Sequence, residues 1–181
     1  MTANEAFNIA VEAVEKKFEE TVKKWGFTVK RENDGEGWVC WKIAELHPYE
    51  IVSVTKFDAY IRLWRPTNQV TRLFPNTSAD ELRDIVKSFV SRALEKVVFN
   101  LTYMELRKSG VVGDVWWTGK ALKLEVGSEI LFLKFMLGKK FWNWKIALEH
   151  ENPIAFIRRP IEENPIKVLL EAAKYFSLLA I

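Results

Sequence analysis

The sequence predicts an α+β protein, in which antiparallel sheet is packed by an N-terminal, a long central and a C-terminal helix. Two observations predict this class. Apolar residues recur every three or four positions in three separate segments, as on the buried side of a helix. Between those segments apolar and polar residues alternate in short runs separated by turn residues, as in the strands of an antiparallel meander.

The longest helical segment covers residues 78–108. Ser78 and Glu81 have the spacing of a capping box, and Gly110 supplies a residue that can end the helix in the left-handed conformation. A helix of this length extends about 45 Å, which is longer than a small domain is wide. It is therefore expected to cross a whole sheet or to link two halves of the molecule.

Two further helices are predicted near the ends of the chain. The last begins after Asn164, a capping residue, and has Pro165 at its first position. Because this helix is apolar almost all round, it is expected to be buried or to lie in an interface. The first covers residues 4–25 and ends at Gly26, with an apolar stripe of Phe7, Val11, Val14, Phe18, Val22 and Trp25.

The remaining segments predict five strands on each side of the central helix. Short turns, such as Asn33-Asp34-Gly35, join neighbouring strands, so each group is expected to form an antiparallel meander. Trp41, Trp142 and Trp144 share strand faces with apolar residues and are expected in the core. The predicted strands cover 27–31, 38–44, 51–56, 60–64 and 70–74, then 114–118, 120–126, 129–137, 141–148 and 154–159.

Residues 1–181 are predicted to form a single α+β domain, with an internal duplication as the alternative. The duplication divides the chain into a first half, 1–77, the central helix, 78–108, and a second half, 109–181. The tetrapeptide Trp-Lys-Ile-Ala suggests it, because it occurs at 41–44 and again at 144–147. The tetrapeptides lie further apart than the similar helical segments, so a duplication requires an extra hairpin in the second half.

Composition restricts the class of protein without identifying its function. A net charge of +3, from 27 basic and 24 acidic residues, permits a polyanionic partner but does not require one. Cys40 is the only cysteine, which excludes an internal disulfide and favours a reducing compartment. The start of the chain lacks a secretory signal, and no apolar run can span a membrane, so a cytoplasmic location is expected. The 28% of charged residues and the single glutamine, Gln69, favour a thermophilic source.

The aromatic content, with eight Trp and twelve Phe, suggests the leading functional hypothesis. Tyr60, Arg62 and Trp64 alternate with apolar residues, as do Phe141 and Lys145, so these side chains are expected on faces opposite the core. Rings and cations on one sheet face suit single-stranded nucleic acid, because bases stack on rings while phosphates pair with cations. This predicts a non-catalytic binding or assembly module, with nucleic acid as the first candidate partner. The alternative for the same residues is a face covered by helices or by a dimer partner.

Two other classes of function remain open. His47 and His150 are weak candidates for a metal site: each lies in an acidic turn where imidazole and carboxylate groups could hold a divalent metal for a hydrolase or nuclease. No fixed ligand spacing supports that site, and the alternative is a pair of solvated turn histidines. The other class is an oligomeric structural protein paired through its C-terminal helix. No nucleotide-binding loop is present, so no cofactor is predicted, and whether the chain is an enzyme stays open.

Overall fold

The architecture is seen in a computed structural model that describes residues 1–46, 50–65, 69–73, 77–109, 114–118, 120–126, 128–149 and 152–175. The chain divides into two compact units, Met1–Leu94 and Glu95–Ile181. Each unit contains a five-stranded antiparallel sheet and helices, which confirms the predicted α+β class. Within the described residues no helix combines the length and the apolar character needed to cross a membrane.

The first unit begins with a helical segment that contains a π-helical turn. Helix α1, Ala3–Val14, leads through the π turn, Glu15–Glu19, into helix α2, Glu20–Lys24. Gly26 ends the segment with a φ of 89°, as its position after the apolar stripe predicts. The most buried residues of α1 are Ala6, Ala10, Ala13 and Val14, whereas Phe7 and Val11 of the predicted stripe are half-buried.

The sequence does not predict the π turn, and both of its glutamates contact the first sheet. The Glu19 carboxylate accepts a hydrogen bond from Nε1 of Trp41 at 2.7 Å, and Glu15 lies 3.4 Å from the guanidinium of Arg31. A π turn adds one residue to the helical turn, and here both glutamates of that turn reach the strands beneath them.

The first sheet is a meander with the strand order β1-β2-β3-β4-β5. Helix α1 packs against β3 and β4. One face of the sheet forms a core with Trp41, Ile43, Val52, Val54, Ile61 and Leu63, all of them fully buried. The strands are β1 Val29–Asn33, β2 Trp38–Ile43, β3 Glu50–Lys56, β4 Ile61–Arg65 and β5 Gln69–Leu73.

Helix α3, Ala79–Ser109, is the long central helix that the sequence predicts. Its capping box is present: the backbone N–H of Glu81 donates to Oγ of Ser78, and the backbone N–H of Ser78 donates to the Glu81 carboxylate, each at 3.3 Å. The helix belongs to both units, because the division falls between Leu94 and Glu95. The predicted stop residue, Gly110, lies outside the described residues.

The second sheet is also a meander, with the order β10-β9-β8-β7-β6. Its core face packs against helices of the same unit. The ring of Phe99, on α3, contacts Phe135 and Trp144 edge to face, and Nε1 of Trp144 donates to the carbonyl of Pro165 at 3.0 Å. The elements are β6 Val115–Trp117, β7 Leu122–Val126, β8 Glu129–Leu137, β9 Phe141–Leu148, β10 Pro153–Pro160 and helix α4, Pro165–Tyr175.

Helix α4 is more amphipathic than the sequence predicts. Ile166, Leu169 and Ala173 are buried, whereas Lys167 and Glu171 are exposed. The apolar residues of its described part therefore serve mainly the core of their own unit. The proposed pairing of the C-terminal helix with a second copy stays a prediction.

The recurrence of helix, five-stranded meander and helix leaves the duplication a prediction. The first Trp-Lys-Ile-Ala tetrapeptide begins on β2, the second strand of its meander, and the second lies on β9, the fourth strand of its own. Both strands lie next to an edge strand, but they are not equivalent in chain order. Within the described residues the second meander has the same number of strands as the first, without the extra hairpin that the tetrapeptide spacing requires.

Replacing the cap of α4, Asn164→Ala, is expected to lower the free energy of unfolding by about 1 kcal/mol. Oδ1 of Asn164 accepts hydrogen bonds from the backbone N–H groups of Ile166 and Lys167, at 2.9 and 3.2 Å, and alanine leaves both donors without this acceptor. Urea denaturation measures the change. Glu162→Ala, an exposed position before the cap, is the control, and equal midpoints for the two variants contradict the prediction.

The turn between β1 and β2 is expected to make stability depend on pH through Asp34. Backbone N–H groups of Gly37, Glu36 and Trp38 donate to its carboxylate and lower its pKa. A carboxyl group with a lowered pKa in the folded state stabilises the fold above its unfolded pKa of about 3.9, and the contribution is lost as the pH falls through the folded pKa. In a pH series of urea titrations, the free energy of unfolding of the wild type is expected to be larger than that of Asp34→Asn above about pH 5. This difference is expected to narrow as the pH falls.

The matched control for that pH series is Glu36→Gln, which removes a negative charge from the same turn. A gap between wild type and Asp34→Asn that is independent of pH, or equal to the gap for Glu36→Gln, contradicts the assignment to the Asp34 carboxylate.

Candidate functional site

Three of the five predicted binding residues lie at strand β4 of the first sheet. Ile61 and Leu63 are fully buried, while Arg62 and Trp64, each the next residue in the strand, are half-buried. The predicted alternation is therefore present. Tyr60, just before the strand, is also half-buried.

The side chains at this site contact one another closely. The ring of Phe57 stacks on Tyr60 with ring centres 4.8 Å apart, and the guanidinium of Arg62 lies 5.3 Å from the centre of the same ring. Nε of Arg62 is buried and has no hydrogen-bond partner in the described part of the chain. These groups are held in place, and little of Arg62 is available to a ligand.

The first sheet is closed at the centre of this face. Cys40 and Ser53 are opposite each other on β2 and β3, and Ser53 is opposite Trp64 on β4. Cys40 has no exposed surface and Ser53 is buried. Strand alternation assigns all three side chains to the face opposite the core, so this face offers a ligand few accessible atoms.

The other two predicted residues, Phe141 and Lys145, lie on β9 of the second sheet, in the other unit. They belong to the face opposite the core, which we term the open face. Three of its rings are exposed, by 36% for Trp116, 40% for Phe141 and 55% for Phe156. The open face includes Trp116 on β6, Lys123 and Glu125 on β7, Ile130, Phe132, Lys134 and Met136 on β8, Phe141, Asn143, Lys145 and Ala147 on β9, and Phe156 and Arg158 on β10.

Cross-strand pairing arranges these residues in rows. Trp116, Lys123 and Phe132 are successive register partners on β6, β7 and β8. The next row along the strands contains Lys134, Lys145 and Phe156, followed by Met136, Asn143 and Arg158. Rings and cations are therefore interspersed over the whole face.

Two cations of the open face lie over its rings. The guanidinium carbon of Arg158 is 4.4 Å from the ring centre of Phe141. Nζ of Lys123 is 5.0 Å from the ring centre of Phe132 and 5.5 Å from that of Trp116. Contacts of this kind hold long cationic side chains in place before any ligand arrives.

The second row brings two like charges together. Lys134 and Lys145 are direct partners across β8 and β9, where side chains leave the sheet about 5 Å apart. Neither lysine forms an ion pair within the described residues, whereas Lys123 lies 3.9 Å from the carboxylate of Glu149. Like charges directly opposite each other destabilise a sheet, so this pair weakens the fold at the centre of the open face.

Asn143 adds an unpaired polar group beside these cations. Its Oδ1 atom is buried and has no hydrogen-bond partner in the described parts of the chain. A buried carbonyl oxygen without a donor costs about 1–3 kcal/mol. Asn143 is register partner to Met136 and Arg158, so the unsatisfied amide lies among exposed residues.

Sequence reasoning identified two residues of the open face and missed the others. Lys134 follows the same rule as Lys145, since it alternates with Leu133 and Phe135 on β8. Alternation along one strand could therefore have found it. The opposition of the two lysines depends on the register between strands, which a single sequence does not reveal.

No metal site is found in the parts of the chain that the structure describes, where no three His, Cys, Asp or Glu side chains cluster in a way that could hold an ion. His47 and His150 lie outside the described residues, and so does Glu151 beside His150. The metal-dependent hydrolase or nuclease stays a prediction for that reason.

Replacing Lys134 by glutamate is expected to raise the free energy of unfolding by about 0.2–1 kcal/mol, because it turns a repulsive cross-strand pair into an attractive one. Thermal and urea unfolding at low salt measure the change. The control is Lys139→Glu, in the exposed turn between β8 and β9, where no strand partner is opposite. A Lys134→Glu protein no more stable than the control contradicts the repulsion.

Comparison with known proteins adds no information on this site. No family model matches the chain, and no curated protein or solved structure is found to be similar to it. A functional assignment therefore depends on the chain's own residues. The cytoplasmic location and the thermophilic source stay predictions.

Proposed function

We propose that the chain is a non-catalytic binding module that holds single-stranded nucleic acid on the open face. The observation that carries this proposal is the pair of lysines, Lys134 and Lys145, opposite each other and without a carboxylate partner in the described residues. One exposed ring, Phe156, is the register partner of Lys145, and those of Trp116 and Phe141 lie elsewhere on the same face. A polyanion with flat apolar groups complements both features.

The phosphate backbone accounts for the cations. Folding brings Lys134 and Lys145 together at a cost in stability, and an anion bound between them removes that cost. Lys123 and Arg158 flank the pair in neighbouring rows, so four basic side chains lie on one face, together with Glu125 and with Lys123 3.9 Å from the carboxylate of Glu149. A single phosphate needs fewer charges than this, and a chain of phosphates can contact all four.

The bases account for the rings. Trp116, Phe141 and Phe156 expose apolar surface on the same face as the cations. Stacking of a base on an aromatic side chain contributes about 1–3 kcal/mol and depends little on which base it is. The guanidinium plane of Arg158, already packed on Phe141, can stack on a base as well. The proposed site therefore has little sequence preference.

The mixture of groups favours single strands over duplexes. A duplex hides the faces of its bases in its own stack and offers a sheet mainly phosphates. With a duplex, the exposed rings therefore have no base to stack on, and only the four cations contribute to binding.

The proposal predicts salt-dependent binding of a labelled pyrimidine oligonucleotide, measured by fluorescence anisotropy. A single strand that neutralises four cations gives a slope of log K against log salt of about −3, and Lys145→Ala makes it shallower by about 0.7. Phe156→Ala is expected to weaken binding by about tenfold without changing the slope, because stacking releases no counterions.

Lys134→Glu distinguishes function from folding. It is expected to abolish measurable binding while making the fold more stable, an outcome that a general loss of structure cannot produce. Trp64→Ala, on the closed face of the first sheet, is the matched aromatic control. It also tests whether the other part of the predicted site, Tyr60, Arg62 and Trp64, contributes to binding. Equal affinity for single strands, duplexes and a sulfated polysaccharide contradicts the stacking role of the rings, and no binding at low salt contradicts the proposed function.

A further inference from the structure

Strand β10 is a long free edge of the second sheet. It pairs with β9 on one side, and no strand pairs with its other side within the described residues. Ile154 and Phe156 are exposed by 54% and 55%, the largest values among the large apolar side chains that are exposed. An edge of eight residues with exposed apolar side chains is a template for pairing with another strand.

A groove runs beside this edge on the helix-packed face of the sheet. It has a volume of about 420 Å³ and lies between β10 and α4. Ile157 and Arg159 come from the strand, while Val168, Glu171 and Ala172 come from the helix. A strand added to β10 directs every second side chain toward this groove.

We propose that the occupant is β10 of a second copy of this chain, paired antiparallel about a twofold axis at Ile157. In this register Phe156 of each copy is opposite Arg158 of the other, which makes two cation–π pairs on the open face. Registers centred at Arg158 or at Arg159 bring arginines against each other. The twofold register at Ile157 avoids that repulsion.

Charge complementarity in the groove supports the same partner. Arg159 is exposed over 55% of its side chain and Glu171 is exposed on the adjoining helix turn, so each groove has one basic and one acidic residue on its border. A twofold axis brings the two grooves together, with Arg159 of each copy toward Glu171 of the other. Within its own chain Arg159 forms an ion pair with Glu163 at 3.8 Å, between two exposed side chains.

The test uses sedimentation velocity and light scattering of the whole chain over a range from low micromolar to several hundred micromolar. Wild type is expected to show a monomer–dimer equilibrium. Arg159→Glu and Glu171→Arg each place like charges across the twofold axis and are expected to weaken the dimer by at least about tenfold. Lys139→Glu and Glu129→Arg, exposed reversals away from the groove, are the matched controls and are expected to leave the dimer unchanged.

Mixing the two groove variants gives the decisive result. Each variant alone is repelled by its own copy, but the mixture pairs an acidic groove with a basic groove and is expected to restore the dimer. Changes within one chain cannot be corrected by mixing, so restoration shows that the contact is between copies. A wild-type monomer at every concentration overturns the proposal, and so does a dimer that the groove reversals leave unchanged or that mixing does not restore.

The proposal uses Phe156 and Arg158, which the proposed function also uses, but its test requires no nucleic acid. If both proposals are correct, the pairing of the two β10 strands joins the open faces of the two copies into one, because Phe156 and Arg158 lie beside this contact in each copy. A dimer without binding leaves the assembly intact and rejects the proposed function alone. Binding of nucleic acid by a chain that stays monomeric rejects the dimer and leaves the proposed function intact.

Discussion

Buried indoles, each bonded to a helical segment or to the turn before a helix, mark the core face of each sheet. In the first unit the N–H of Trp41 donates to Glu19, and in the second the N–H groups of Trp142 and Trp144 donate to the carbonyls of Glu163 and Pro165. A buried tryptophan needs such an acceptor, because its N–H is costly without one. Each bond therefore ties a helical segment, or the turn before it, to the core face of its sheet, and in the described part of the chain only the second sheet leaves its other face exposed.

The sequence predicted features that depend on neighbouring residues and missed those that depend on distant ones. The caps at Ser78 and Asn164, the stop at Gly26 and the core tryptophans all follow from local spacing, and the structure contains them. Glu19 of the π turn contacts Trp41, which is far along the chain. Propensity within the helix gives no sign of that contact.

The candidate site also combines features that follow from local sequence with features that depend on distant residues. Alternation along β4 and β9 assigned residues to the correct faces, but it could not distinguish a closed face from an exposed one. Burial of Cys40 and Ser53 is a property of the assembled sheet, and so is the opposition of Lys134 and Lys145. The most informative residues of the open face are thus the ones that oppose folding, and their meaning depends on the register between strands.

The two edges of the second sheet differ in a way that limits how far it can grow. Strand β10 has eight residues between Pro153 and Pro160, while β6 at the opposite edge has three. Proline lacks an N–H and ends a ladder of hydrogen bonds, and a three-residue strand offers too few bonds to hold a neighbour. Pairing at β10 covers the only long edge of this sheet among the described residues. The addition of strands to the sheet therefore stops after one partner. The second sheet can thus expose an apolar strand at β10 without further growth at its other edge.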